Sequence, residues 1–191
     1  MKVLVACEYS GTVRDAFIMR GHDAVSCDIL PTDSPGPHYL GDVRAILNEG
    51  WDLMIAHPPC THLAVSGAAW FAEKQKDGRQ QKAIDFFLEI VNADIPKICV
   101  ENPVCIMSSI YRKPDQIIQP YMFGHAESKK TCLWLKNLSK LVPTNDVKSE
   151  WELLPKNKRE RLHYLPPSED RWKLRSKTFH GIAEAMATQW G

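Results

Sequence analysis

Four short apolar runs, each stopped by an acid or a proline turn, constrain this chain more than any other feature. Lys2 to Cys7 reads as a first strand and Asp23 to Cys27 as a second, ending at Asp28. Asp52 to Ala56 reads as a third, stopped by His57-Pro58-Pro59, and Ile98 to Glu101 as a fourth, ended by Asn102-Pro103. Among them, Thr12 to Arg20 reads as a helix closed by Gly21, and residues 71 to 93 carry Ala83, Phe86, Phe87, Ile90 and Val91 at helical spacing. Ile29 to Tyr39, punctuated by Pro31, Pro35, Gly36 and Pro37, reads as a loop, and a short helix follows Asp42. Gln116 to Gln119 and Thr131 to Lys136 add two strands, and Gly181 to Trp190 a last amphipathic helix. Strands alternating with helices predict an α/β fold with a parallel, doubly wound sheet.

The 191 residues fit one domain with a real core. We expect a core over 1–144, a polar, proline-interrupted segment over 145–177, and a helix within 178–191 that packs back on the sheet. No apolar run approaches the roughly 18 residues that would span a bilayer, so no membrane partner is expected. The amino-terminal residues lack the apolar stretch and cleavage site of a signal peptide and read as a strand. Cys7, Cys27, Cys99 and Cys132 lie in apolar runs and no C-x-x-C spacing occurs. That usage predicts free thiols and a cytoplasmic setting. Cys60 differs, because it sits in a Pro-Pro-Cys turn.

Ligands of an open α/β sheet bind outside the carboxyl ends of its strands. Those ends carry Glu8 to Gly11, Asp28, Asp42, His57 to Cys60, and Glu101-Asn102-Pro103. Singly, an acid after a strand is more often a turn or helix cap than a ligand, and Pro-Pro-Cys reads as a rigid turn. Their order makes a sharper case.

Ala56-His-Pro-Pro-Cys-Thr-His-Leu-Ala-Val-Ser-Gly67 resembles the nucleophile motif of the DNA cytosine-C5 methyltransferases. Glu101-Asn102-Pro103 resembles their Glu-Asn-Val motif, and Gly41-Asp42-Val43 their Gly-Asp-Ile step. Residues Phe123 to Leu135 are similar to the motif that holds alternating arginines, and Arg175-Ser-Lys-Thr178 to the last cofactor-side motif. The resemblance covers residues 1 to about 136 and, more loosely, 175 to 191. Compact phage and prophage members are the most similar.

The resemblance implies a Rossmann-like S-adenosylmethionine-dependent methyltransferase fold and methylation of cytosine C5 in DNA. Cys60 would be the nucleophile that adds to C6, and Glu101 the group at cytosine N3 and the exocyclic amine. S-adenosyl-L-methionine would lie against Glu8, Tyr9, Ser10 and Gly11 at its methionine end, Asp28 and Ile29 at the ribose, Asp42 and Val43 at the adenine, with Pro58 and Ser176 beside it. Pro59, Ser66, Asn102, Lys129, Lys130, Arg159 and Arg161 would face the substrate. A duplex base must be flipped out to reach such a cysteine, or the substrate be single-stranded. Residues 151 to 177 carry eight Lys or Arg against four Asp or Glu, a modest excess for holding phosphates.

Three departures from the family pattern stand out. Only Gly11 remains in the first turn, and Lys129 and Thr131 occupy the arginine positions. About forty residues, instead of a full target-recognition domain, separate Leu135 from Arg175, so a partner protein supplying recognition stays open. RNA, a free nucleotide, or a non-catalytic nucleic-acid-binding protein on the same scaffold are the alternatives. His57, Cys60 and His62 offer three metal ligands where a structural site usually takes four. A cysteine hydrolase would have His57 or His62 as its base, with no orienting third residue indicated by the sequence.

Overall fold

The structure is a computed structural model that describes residues 1–191. Its strands are β1 (Lys2–Ala6), β2 (Asp23–Asp28), β3 (His38–Leu40), β4 (Leu53–Ala56), β5 (Lys97–Pro103), β6 (Gln116–Ile118) and β7 (Thr131–Lys136). They form one seven-stranded sheet in the order β3-β2-β1-β4-β5-β7-β6. Pairing is parallel from β3 through β5, whereas β7 runs antiparallel to both β5 and β6. The sheet is therefore mixed rather than wholly parallel. This α/β architecture is compatible with a Rossmann-like fold.

The helices are α1 (Thr12–Ile18), α2 (Phe71–Lys76), α3 (Arg79–Val91), α4 (Met107–Ile110), α5 (Lys148–Leu153), α6 (Lys156–Arg159), α7 (Arg171–Ser176) and α8 (His180–Trp190). Single turns of 3-10 helix occupy Val43–Ala45 and Pro120–Met122, and a longer one Val65–Trp70. The expected helix over 71 to 93 is broken in two at Gly78, whose φ of 77° no helix accommodates. The predicted loop over 29 to 39 ends in the short, exposed edge strand β3.

Alternation along the strands explains the two layers. Leu4, Ala6, Met54, Ala56, Ile98 and Val100 pack with Ile84, Phe87, Ile90 and Val91 of α3. Val3, Val5, Leu53, Ile55 and Cys99 pack on the opposite face with Val13 and Phe17 of α1 and Ile182, Met186 and Trp190 of α8. All four residues of β4 are buried, as a strand covered on both faces must be. No helix is long and apolar enough to cross a membrane.

This strand order places the topological switch point between β1 and β4, the strands from which the chain departs in opposite directions. A crevice at the carboxyl ends of these two strands is where such sheets bind ligands. The turn Cys7–Gly11 follows β1 and the turn His57–Cys60 follows β4, so the two candidate motifs flank that crevice.

Candidate active site

Register sets the first residue of the cysteine-bearing turn beside Glu101. Ala56 of β4 pairs with Val100 of β5, so the next residue on each chain, His57 and Glu101, emerges side by side. His57 Nδ1 and Glu101 Oε2 are 2.7 Å apart, and both side chains are only 11% exposed. Burial acts to raise the Glu101 carboxyl, but the His57 hydrogen bond and the charges of Lys129 and His57 outweigh it and hold the group below its ordinary value. The other ring nitrogen, His57 Nε2, is buried without a partner.

The nucleophile turn is clamped on several sides. The His57 N–H donates to the Ala6 carbonyl over 2.9 Å and prolongs the β1–β4 ladder past the end of β4. The Cys60 carbonyl accepts from the N–H groups of Leu63 and Ala64, both at 2.9 Å. Lys74 Nζ donates to the Thr61 carbonyl over 2.7 Å and Gln80 to that of His62 over 3.2 Å. Asn102 is 1% exposed and donates to the Pro58 carbonyl over 2.8 Å. It therefore ties β5 to the turn from within and does not face a substrate, which corrects its expected role. Pro58 is buried with it, while Pro59 and Ser66 are exposed.

Cys60 is half-buried. Burial and the nearby Glu101 carboxylate push its thiol up; its own N–H and the charges of Lys129 and Arg175 pull the other way. Neither ring nitrogen of His57 hydrogen-bonds Cys60. Glu101 does supply the orienting acid that the sequence left unassigned for a hydrolase, but the nucleophile–base contact of such a site is missing from this geometry.

The Lys129 side chain reaches this centre. Its backbone N–H donates to Gln119 Oε1 over 3.0 Å and its Nζ to the Lys177 carbonyl over 3.0 Å, so the ammonium sits where it acts on both Glu101 and Cys60. Thr131 is buried and turns its hydroxyl back on the Lys129 carbonyl at 2.9 Å. It still lines a small cleft with Glu101, Lys129, Thr178 and Phe179. Lys130 is exposed next to it.

On the β1 side most of the expected cofactor contacts are spent within the protein. Glu8 is buried and caps α1: its carboxylate accepts from Val13 N–H at 2.7 Å and from Arg14 N–H at 3.2 Å. The Ser10 hydroxyl donates to the Glu8 carboxylate at 3.2 Å and lies 3.1 Å from the Thr12 hydroxyl. Tyr9 donates to the Lys173 carbonyl at 2.9 Å, lies 3.1 Å from Ser176 Oγ, and packs at a tilt against Trp172, with ring centroids 5.7 Å apart. Ser176 is thus engaged by Tyr9, and α7 covers the first turn. The turn itself needs Gly11, at φ 72°, where a Cβ would also strike the Arg14 guanidinium. Cys7 adopts φ 58°, an uncommon conformation for a non-glycine residue and one that clusters at functional turns.

Asp28 behaves differently. One carboxylate oxygen accepts from the Leu30 N–H at 3.0 Å, and burial raises the group despite that bond and the nearby His38 and His57. Ile29 next to it is 76% exposed. A half-buried carboxylate beside an open apolar face suits a ribose diol and the base attached to it. Asp42, by contrast, caps the Val43–Ala45 turn through the Arg44 N–H and pairs with the Arg44 guanidinium at 3.0 Å. Val43 is 4% exposed and belongs to the core, so its side chain does not meet a cofactor.

The basic segment folds against the approach to β7. Trp151 donates to Ser128, Arg159 lies over the Trp151 ring at 4.8 Å, and Arg161 pairs with Glu127 at 2.9 Å. Arg159 and Arg161 therefore have partners of their own and dock this segment, while Lys156, Lys158 and Arg175 remain exposed. Comparison with protein-family models and with curated proteins returned no match for the chain.

Proposed function

We propose that the chain is an S-adenosylmethionine-dependent methyltransferase acting on C5 of cytosine in DNA. The observation that carries this reading is a turn cysteine, Cys60, just after β4 and a buried glutamate, Glu101, on the adjacent β5, near enough for the carboxylate to raise the thiol, beside the switch-point crevice. Asp28 and Ile29, across the same crevice, have the chemistry to hold S-adenosylmethionine. When bound, that molecule supplies an electrophilic methyl group.

The protein's own task is to make cytosine C5 nucleophilic. Cys60, as thiolate, adds to C6; the C5=C6 π bond breaks and electron density moves toward N3. Glu101 stands to give N3 a proton and so relieves that charge. The Lys129 ammonium favours the thiolate over the thiol, against the effect of burial. After transfer, water takes the C5 proton, the electron pair of that C–H bond re-forms the C5=C6 bond and expels the Cys60 thiolate, and N3 returns its proton to Glu101. Exposed Lys130, Lys156, Lys158 and Arg175 lie on the polar surface available to phosphates.

The test is transfer of tritium from labelled S-adenosylmethionine to duplex DNA, single-stranded DNA, RNA and dCMP. The reading expects 5-methylcytosine in a DNA pool and none with Cys60→Ser. Labelling of RNA or dCMP alone would replace the substrate class, and no transfer to any pool would leave a non-catalytic binder.

A further inference from the structure

A glutamate that must give a proton to its substrate is here held ionised by a hydrogen-bonded imidazole and a lysine. The same imidazole keeps a second nitrogen, Nε2, buried and unpartnered. We propose that His57 is the proton relay of the site, a positioning residue that takes up a proton at Nε2 and passes the one on Nδ1 to Glu101 as Cys60 adds to the base. This inference rests on the cytosine-C5 reading and adds to it a residue that the motif comparison leaves without a role.

The step balances without any further reactant. The Cys60 thiol releases its proton to water and the sulfur–C6 bond forms. Glu101, ionised at the outset, receives the Nδ1 proton of His57 and delivers it to N3, and so ends ionised again. A proton from water enters at Nε2. His57 is thus left neutral with its proton on the other nitrogen, and the reverse sequence restores it when Cys60 departs. Geometry fits each transfer within the dyad: 2.7 Å separates Nδ1 from Oε2, and the register of β4 and β5 fixes the two side chains next to each other. The titratable groups that act on the dyad or are acted on by it are Asp28 at the end of β2, Cys60 on the same turn, Cys99 on β5, Cys132 on β7, and Lys129 ahead of β7. Of these only Lys129 is cationic. None of them hydrogen-bonds the His57 ring.

The test separates relay from support. Asn at position 57 keeps an N–H donor at the place of Nδ1 and cannot carry a proton through. The readout is exchange of the C5 hydrogen of [5-³H]cytosine DNA with water, without methyl donor, across neutral and mildly acidic pH. The relay predicts that His57→Asn slows exchange by roughly 10-fold or more at neutral pH. It also predicts that the variant recovers as pH falls and Glu101 is protonated directly, while wild type changes less over the same range. A variant with the wild-type rate and profile overturns the proposal, and so does a slower variant with an unaltered profile, which marks a structural role. A second measurement needs no turnover: the Glu101 ¹³C-carboxyl titration should move upward in His57→Ala, and an unmoved titration overturns the coupling. Failure of the wild-type protein itself to exchange would overturn the C5 reading and the relay with it.

Discussion

The side-chain amide of Asn102 donates to the carbonyl of Pro58 over 2.8 Å, and so fixes the turn that carries Cys60 to the strand that carries Glu101. Asn102→Ala should cost about 1–3 kcal/mol in urea unfolding, because the buried Pro58 carbonyl loses its partner. It should cost methyl transfer at least as much again, because a displacement of about 1 Å in a reacting group can lower a rate 100-fold. Equal losses in stability and in rate would argue that Asn102 supports the fold alone.

The thiol of Cys60 is raised by burial and by Glu101, so less of it is thiolate at neutral pH than in a free cysteine. Iodoacetamide should therefore label Cys60 slowly near neutrality, with a rate still climbing above about pH 8.5, where a free thiol is levelling off. Glu101→Gln removes the nearby negative charge and should shift that profile to lower pH. A plateau already reached at neutral pH would contradict the electrostatic description of the turn.

Asp28 is a carboxyl raised by burial, and the sign of its effect on stability follows. Its folded-state value lies above the unfolded one, so its favourable contribution is present below the ordinary value of 3.8 and is lost as pH rises through the raised value. Asp28→Asn should therefore be more stable than wild type at pH 7, with the difference fading in acid. It should also bind S-adenosylmethionine at least 10-fold more weakly, as expected for loss of a charge-assisted hydrogen bond worth about 1.5–3 kcal/mol. Calorimetry with and without the ligand checks both halves.

Arg14 is fully buried in α1 and holds the loop between β2 and β3, with donors 3.0 Å from the Ser34 carbonyl and 3.1 Å from Ser26 Oγ. A lysine cannot reproduce that planar fork. Arg14→Lys should lose about 2–3 kcal/mol in urea unfolding, and faster proteolysis within residues 29–37 would show the loosened loop. An unchanged midpoint would mean that the prolines alone hold it.

Much of the architecture was legible because a parallel strand covered on both faces has to read as an apolar run, as Leu53–Ala56 does. Direction was not: nothing local in Thr131 to Lys136 tells an antiparallel β7 from a parallel one. β3 escaped because it is three residues long, exposed, and preceded by prolines. Helical spacing continued across Gly78 and hid the break there, although Lys-Asp-Gly-Arg is a stop signal in its own right.

The site was legible to the same depth. Cys60 and Glu101 were singled out by motif, and the strand order sets the turn that holds Cys60 next to the strand that holds Glu101. Acids at strand ends divided as their two chemistries allow: Glu8 and Asp42 became caps, and Asp28 kept an open face. The His57–Glu101 contact was out of reach, because it joins residues 44 apart and depends on which strands are neighbours. Once β4 and β5 are known to pair with Ala56 opposite Val100, the contact is the next step along both chains.

The central claim is a covalent bond from Cys60 to a cytosine ring, and the most direct measurement is to trap it. Duplex and single-stranded DNA containing 5-fluorocytosine, incubated with the protein and S-adenosylmethionine, should give a one-to-one adduct resistant to denaturation. Peptide mass spectrometry should place it on Cys60, and Cys60→Ser should abolish it. Absence of any adduct while S-adenosylmethionine is bound, or an adduct that survives in Cys60→Ser, would contradict the account.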